Sequence, residues 1–246
     1  MGMSVAMLAY QEEENLKRLL PQIHKVLKEI GEKYEIIVVD TAQPLDNTAE
    51  CCRKHHAIYV NQTSAGFGGA YRTAIDNIHF EKALFLDSDG SHDPRYIKNI
   101  YRMFMTGQYD VVVGSRYVKG GKTNDSRLSV MMSLCLNLAF RVCLGLKARD
   151  LSTNFRMYHT DQLRRTQTSC VNYDVLEEIL VRIMLNEGRL RIGETPISFE
   201  KRFSGESKRK LLPFIRSYLH TLLRLMHLKY KEGSKKNQCL IFLAQS

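Results

Sequence analysis

The chain has 246 residues, 44% of them apolar and 25% charged. A chain of that length buries roughly 70–75% of its unfolded surface and needs no disulfide or metal staple. The formal net charge of +10 is concentrated: residues 208–236 hold nine Lys/Arg and one acid, Glu232, for +8, which leaves +2 for the rest. This argues against a whole-surface nucleic-acid binder and for one basic patch facing an anionic partner. The six cysteines (51, 52, 135, 143, 170 and 239) form no C-x-x-C pair and read as reduced thiols. No apolar run reaches the roughly 20 residues of a membrane span.

In chain order, residues 3–9, "MSVAMLA", lack a basic leader or cleavage site and read as a first buried strand. The next segment places Leu16, Leu19, Leu20, Ile23, Val26, Leu27 and Ile30 at helical spacing, with acids in its first turn and Gly31 after its last. "YEIIVVD" is a β-branched second strand. "AECCRKHHAIYVNQ" is a short helix leading to a third. "GFGGAYRTAIDNIHF" is a glycine loop opening a helix, "KALFLDSD" a fourth strand, "PRYIKNIYRMFMTG" a helix with Pro94 near its start, and "YDVVVGSRY" a fifth strand. Strands and helices alternate with short connections, which predicts a mostly parallel sheet covered by helices on both faces.

After Lys119 the pattern changes. "GGKTND" reads as a loop, "RLSVMMSLCLNLAFRVCLGL" as a largely apolar helix and "DLSTNFRMY" as a polar loop or short strand. "DVLEEILVRIMLNEG" is a helix and "RIGETPISFEKR" a strand with a polar exit. The charge shift suggests a boundary near residue 207, dividing a body, 1–207, from a basic amphipathic tail, 208–246. In the tail, Leu211, Leu212, Ile215, Leu219, Leu222, Leu223 and Met226 recur at helical spacing. It suits a helix lying on an anionic membrane surface or one packed on the body.

In an open parallel sheet, ligands bind beyond the carboxyl ends of the strands. Asp40, then Asp87 and Asp89, then Arg116 end successive strands, so they are expected to converge. Carboxylates and an arginine at one edge suit a divalent ion with phosphates, because Mg²⁺ takes one or two carboxylates and fills its other positions with waters and phosphate oxygens. By itself, Asp87-Ser88-Asp89 is equally a solvated turn, and the glycine loop is equally a phosphate cradle or a tight packing turn. Arg202 and Lys208, flanking a Gly-Glu-Ser turn, are either a lid over a diphosphate or a solvated basic linker.

The blocks "LAYQEEENL", "YEIIVVD", "GFGGAYRTAI", "FLDSDGSHDP", "YDVVVGSRYVKGG", "RDLSTNFRMY" and "PISFEKRFSGESK" occur in the order found in family 2 glycosyltransferases. They most resemble the polyprenyl-phosphate branch, which includes the dolichol-phosphate mannose synthases. The resemblance spans about residues 3–215 and implies a GT-A fold: a Rossmann-like sheet domain, here 1–207. It also implies an inverting transfer of a hexose from a nucleotide-diphospho-sugar to a polyprenyl phosphate, with mannose from GDP-mannose the first expectation. A UDP-sugar donor carrying glucose or an N-acetylhexosamine, a glycan acceptor, and an inactive nucleotide-sugar-binding protein are the alternatives.

Carried over residue by residue, the resemblance gives Asp87 and Asp89 to a Mg²⁺ or Mn²⁺ ion, with Ser91 a third candidate ligand. Leu8, Tyr10, Glu12, Val39, Asp40 and Ser88 lie along the nucleotide. Arg116, Arg202 and Lys208 meet phosphates, Asp89, Arg202 and Lys208 carry catalysis, and Asp150 and Arg156 stand on the acceptor side. The chain departs from the family at Gln11 (usually Asn), Thr41 (usually a second Asp, near the nucleoside), Ser91 (usually Gln) and Asn154 (usually Gly). A glycan acceptor would want a carboxylate base, for which Asp93 and Asp150 are the candidates. The implied location is the cytoplasmic face of a membrane, held peripherally by the basic tail. The other expected partners are the donor and the lipid, without nucleic acid, and a membrane subunit is left open.

Overall fold

Strands rich in Val and Ile alternate with amphipathic helices through the first half of the chain, as their apolar periods require. The computed structural model describes residues 2–201, 203 and 217–232. The first half runs β1 (Gly2–Leu8), α1 (Glu13–Ile30), β2 (Lys33–Asp40), α2 (Thr48–Lys54), β3 (Ile58–Asn61), α3 (Gly66–Asn77), β4 (Lys82–Phe85), α4 (Ile97–Phe104) and β5 (Val111–Ser115). The second runs β6 (Lys122–Thr123), α5 (Arg127–Leu144), β7 (Arg156–His159), α6 (Thr160–Arg164), α7 (Val175–Glu187), β8 (Ile192–Pro196) and β9 (Ser198–Phe199). A further helix, α8, occupies 217–232.

Seven strands form one sheet in the order β3-β2-β1-β4-β7-β5-β8. The pairs β1–β2, β1–β4, β2–β3 and β5–β8 are parallel. β7, in the stretch expected to be a polar loop or short strand, enters the sheet antiparallel between β4 and β5. Its first residue, Arg156, faces Phe85 and Val113 near the ends of those strands. The segment before it, residues 150–155, is thereby delivered to the same sheet edge as the fourth-strand aspartates. The expected "GGKTND" loop contains β6, which pairs with β9.

Both faces of the sheet are covered, so the strands alternate between two cores rather than between core and water. Val5, Met7 and Val38 pack with α1 and α4 on one side. Ala6, Val39, Phe85 and Tyr158 pack with α3, α5 and α7 on the other. α8 joins this second core through Tyr218, Leu222 and Leu225. Of the two arrangements open for the tail, one face of α8 adopts the packed one. The boundary expected near residue 207, together with Arg202 and Lys208, lies outside the described residues.

Candidate functional site

A cavity of about 460 Å³ opens at the carboxyl edge of the parallel strands. The ends of four strands contribute to it: Leu8, Ala9, Tyr10 and Glu12 after β1, Thr41 after β2, Gln62 after β3, and Asp87, Ser88 and Asp89 after β4. The opposite wall is Gly66, Phe67 and Ala70 of α3, with Tyr173. Phe67 and Tyr173 pack ring on ring, centroids 4.3 Å apart. Between Tyr10 and Glu12 the backbone of Gln11 takes φ 58°, the left-handed region that asparagine, the usual family residue here, tolerates better.

The D-x-D loop is fixed from three directions. Ser88 Oγ donates to the Leu8 carbonyl at 2.7 Å, tying the ends of β4 and β1 together. Asp89 Oδ1 accepts from the Ser91 amide at 2.9 Å, a local turn that aspartate side chains favour. Amides of Glu200 and Phe203 donate to the carbonyls of Ser91 and Asp89, at 2.9 and 3.0 Å. The last chain to cross the edge therefore lies against this loop.

Behind the loop sits His92, fully buried. The Asp87 amide donates to its Nδ1 at 3.0 Å, which leaves the ring proton on Nε2, facing Thr153 Oγ1 at 3.3 Å. Burial holds the imidazole below its usual pKa and keeps it neutral. His92 also stacks on Phe155, centroids 4.9 Å apart. Beside it, Asn154 Nδ2 donates to Asp87 Oδ1 at 3.1 Å. The block 153–155 is thus stapled residue by residue to the aspartate loop.

Among the described residues no group of three or more His, Cys, Asp and Glu gathers into a cation cage. The donors that do line the edge are all oxygens. Asp87 and Asp89 share the cavity wall. The buried Ser91 Oγ and Asn154 Oδ1, on residues bonded to them, have no hydrogen-bond partner among the described residues. Two carboxylates with spare neutral oxygens fit a hard divalent cation that keeps waters or phosphate oxygens in its other positions.

The structure keeps other expected residues off this wall. Val39 is fully buried beneath it. Asp40 is buried too, its carboxylate accepting from the Thr41 amide at 2.7 Å and the Tyr59 hydroxyl at 3.0 Å, so it shapes the turn that presents Thr41. Arg116, expected at phosphates, and Asp150, expected at the acceptor, meet each other instead. Arg116 Nε and Nη2 donate to the two Asp150 oxygens, both at 2.8 Å, in a buried fork. Arg156 is also fully buried, donating to the carbonyls of Leu151 and Leu176. Both arginines brace the 150–155 segment from within: Arg116 through Asp150 and Ser152, and Arg156 through the Leu151 carbonyl.

Sequence reasoning did not single out Gln62, Phe67, Tyr173, His92 or Asn154 for these roles. Two carried a local signal: Asn154 by its departure from glycine, and His92 by following the D-x-D, although a lone histidine usually does not act.

Residues 4–167 match the family described as Glycosyl transferase family 2. Over 216 residues the chain is 31% identical to "Undecaprenyl-phosphate mannosyltransferase" of Micrococcus luteus, covering 81% of this chain and 84% of that one. It is 29% identical to "Dolichol-phosphate mannosyltransferase" of Pyrococcus furiosus, covering 92% of this chain but 64% of that longer one. It is 28% identical to "Polyprenol monophosphomannose synthase" of Mycolicibacterium smegmatis, covering 81% and 77%. Among solved structures, glucosyl-3-phosphoglycerate synthase of Mycobacterium tuberculosis, in complex with Mn²⁺ and UDP-glucose, superimposes with a TM-score of 0.73. At 17% identity, over 92% of this chain and 79% of that one, the likeness bears out the expected GT-A fold.

Proposed function

The chain belongs to glycosyl transferase family 2, and from that premise we propose that it transfers mannose, with inversion, from GDP-mannose to a polyprenyl phosphate. The observation that carries this reading is the cavity itself. It is lined by both D-x-D carboxylates together with Leu8, Tyr10, Glu12 and Ser88, four of the residues expected along a nucleotide. The names and activities of the three relatives support the sugar and the lipid class.

The state of the carboxylates favours a phosphate acceptor over a glycan hydroxyl. A hydroxyl needs a base to take its proton. The two candidates are engaged: Asp93 with the Arg95 guanidinium at 2.7 Å, and Asp150 with Arg116. A phosphate monoester, with a second pKa near 6, arrives largely ionised and needs no base. The demanding charge then develops on the departing nucleotide diphosphate.

Asp87 and Asp89 would hold Mg²⁺ or Mn²⁺, and such an ion, when bound, supplies a Lewis acid for that charge. Arg202 and Lys208 are proposed to add cations from the chain that continues past Glu200, a reading supported by the Phe203 and Glu200 amides bonding the D-x-D loop. Asn154 and His92 hold the Asp87 side of the seat. Asp150 and Arg156 are assigned to the acceptor side as positioning residues.

A UDP-sugar donor is the second reading. It is favoured by Thr41, a neutral hydroxyl on the cavity wall where the family usually presents a carboxylate. We place the protein on the cytoplasmic face of a membrane. Cys51, Cys52, Cys135, Cys143 and Cys170 are all free thiols, which supports a reducing compartment.

The test is incubation with polyprenyl phosphate, Mg²⁺ or Mn²⁺ and a panel of labelled GDP- and UDP-sugars, followed by lipid extraction. Label from GDP-mannose in the lipid phase is expected. Folded Asp89→Ala should lose both transfer and metal-dependent nucleotide binding. Near-normal turnover by that variant would overturn the mechanism.

A further inference from the structure

We propose that Glu177 is a positioning residue for the acceptor: through Arg156 it sets how firmly the 150–155 segment is held at the sheet edge. The proposal rests on the acceptor-side reading of that segment, while the hold itself is measurable without any transfer.

Leu151 is clamped at both of its backbone groups. Its amide donates to Asn137 Oδ1 of α5 at 3.1 Å, and its carbonyl accepts from Arg156 Nη2. Arg156 is a bridge. Its Nη1 donates to the Leu176 carbonyl of α7 at 2.8 Å and to the Tyr158 hydroxyl at 3.3 Å. One fully buried guanidinium thus holds the segment on one side and α7 on the other. Glu177 directly follows Leu176, on the α7 side of the bridge, and is 1% exposed.

Arg156 Nε, Glu177 Oε2 and Asn137 Nδ2 are all buried without a hydrogen-bond partner among the described residues. Arg156 is the strongest charged influence on Glu177, and Glu177 is the foremost carboxyl acting on Arg156. A spare donor and a spare acceptor that feel each other in a dry interior are costly apart and complementary together.

The other acids around Glu177 are already engaged. Asp150 is forked to Arg116, and Asp174 accepts from Thr221 of α8. Glu178 pairs with Arg182 and Arg224. From α3, Tyr71 faces the same guanidinium, and burial holds its hydroxyl well above its usual pKa. Glu177 is therefore the group whose charge can change beside Arg156.

With Glu177 neutral, Arg156 divides its donors between Leu151 and α7. An ionised Glu177 adds a charge-assisted partner on the α7 side, stronger than a neutral carbonyl. It draws the guanidinium towards α7 and slackens the clamp on Leu151. Burial raises the Glu177 carboxyl to about 8, so this happens as pH climbs through that value. A phosphate acceptor, with a second pKa of about 6, is already ionised there.

The test compares the full chain with Glu177→Gln, which keeps a polar group of the same shape and cannot ionise. Glu177→Leu serves as a second non-ionising variant with the same expectations. The substrates are GDP-mannose and detergent-dispersed polyprenyl phosphate. Between about pH 7 and about pH 9 the acceptor KM of the unaltered chain should rise about three- to tenfold, the scale of one hydrogen bond to a charged group, with kcat and the donor KM nearly level. In the variants it should stay within about twofold. Amide exchange, corrected for its intrinsic pH dependence and read by mass spectrometry, gives a readout free of catalysis. Peptides covering 150–155 should lose protection across that range in the unaltered chain and keep it in the variants. Equal pH slopes of acceptor KM, a rise confined to the donor KM, or equal loss of protection overturns the proposal. If no protein transfers mannose, the functional reading fails, and the exchange comparison alone decides whether Glu177 governs the clamp.

Discussion

Asn154 stands where the family usually carries glycine, and its amide donates to an Asp87 oxygen. A side chain that orients a metal carboxylate commonly changes ion affinity by about 10–100-fold when removed. Asn154→Ala should therefore raise the Mg²⁺ or Mn²⁺ concentration needed for half-maximal nucleotide binding by about tenfold. Its melting temperature should fall by only a few degrees, because one buried hydrogen bond is lost. Titrating the ion against nucleotide fluorescence checks this, and an unchanged midpoint rules the role out. Asp87 and Asp89 were legible in the sequence because spacing and strand position announce them. His92 and Asn154 were not, because their roles come from contacts across 61 and 67 residues of chain. Arg116 and Arg156 were placed at ligands for a related reason: sequence cannot show whether an arginine's donors are already spent inside the protein.

At the level of elements, the glycine loop that opens α3 resolves largely as packing. A Cβ on Gly68 would meet the Cys170 carbonyl oxygen at 2.0 Å, and one on Gly69 the Ser64 carbonyl oxygen at 2.0 Å. These obstacles are backbone, which cannot swing aside. The Gly68 amide also donates to the Val171 carbonyl at 2.8 Å, so α3 and the 170–173 segment approach through bare backbone. Gly68→Ala should cost about 1–3 kcal/mol in urea unfolding and loosen the Phe67–Tyr173 wall; an unaltered unfolding midpoint would show that the contact is not needed. Apolar period made the parallel strands and helices legible. The insertion of β7 was not legible, because short polar-flanked strands carry no marker of their partners. The exposure of Leu128, Met131, Leu138 and Val142 on α5 escaped for the opposite reason: an apolar stripe reads alike whether it is covered or exposed.

For the whole molecule, two neighbouring carboxyls on α7 set opposing pH dependences. Burial pushes Glu177 from 4.5 up to about 8. Between those values the unfolded chain is ionised while the folded chain holds the proton, so stability falls as pH rises from about 4.5 to about 8. Burial alone would raise Glu178 as well, but Arg224 and the amides of Cys170 and Ser169 hold it down at about 2. Its contribution is present above 4.5 and is lost as pH falls towards about 2. Glu177→Gln should therefore flatten the decline in urea midpoint between about pH 5 and about pH 8, while leaving the acid limb in place. An unchanged slope would move that proton elsewhere.

The ties between α7 and α8 also bear on how the protein is made. Thr221 bonds Asp174 and Arg224 bonds Glu178, and Asp174 directly follows Tyr173 of the cavity wall. Until residues 217–232 have been synthesised, Glu178 keeps Arg182 but lacks Arg224, and that wall lacks its backing. Chains fold as they emerge from the ribosome, amino-terminal parts first. The sheet can assemble early, but the cavity at its edge is finished only by the late arrival of α8, so a ribosome-tethered chain short of that helix is an enzyme with an unfinished wall.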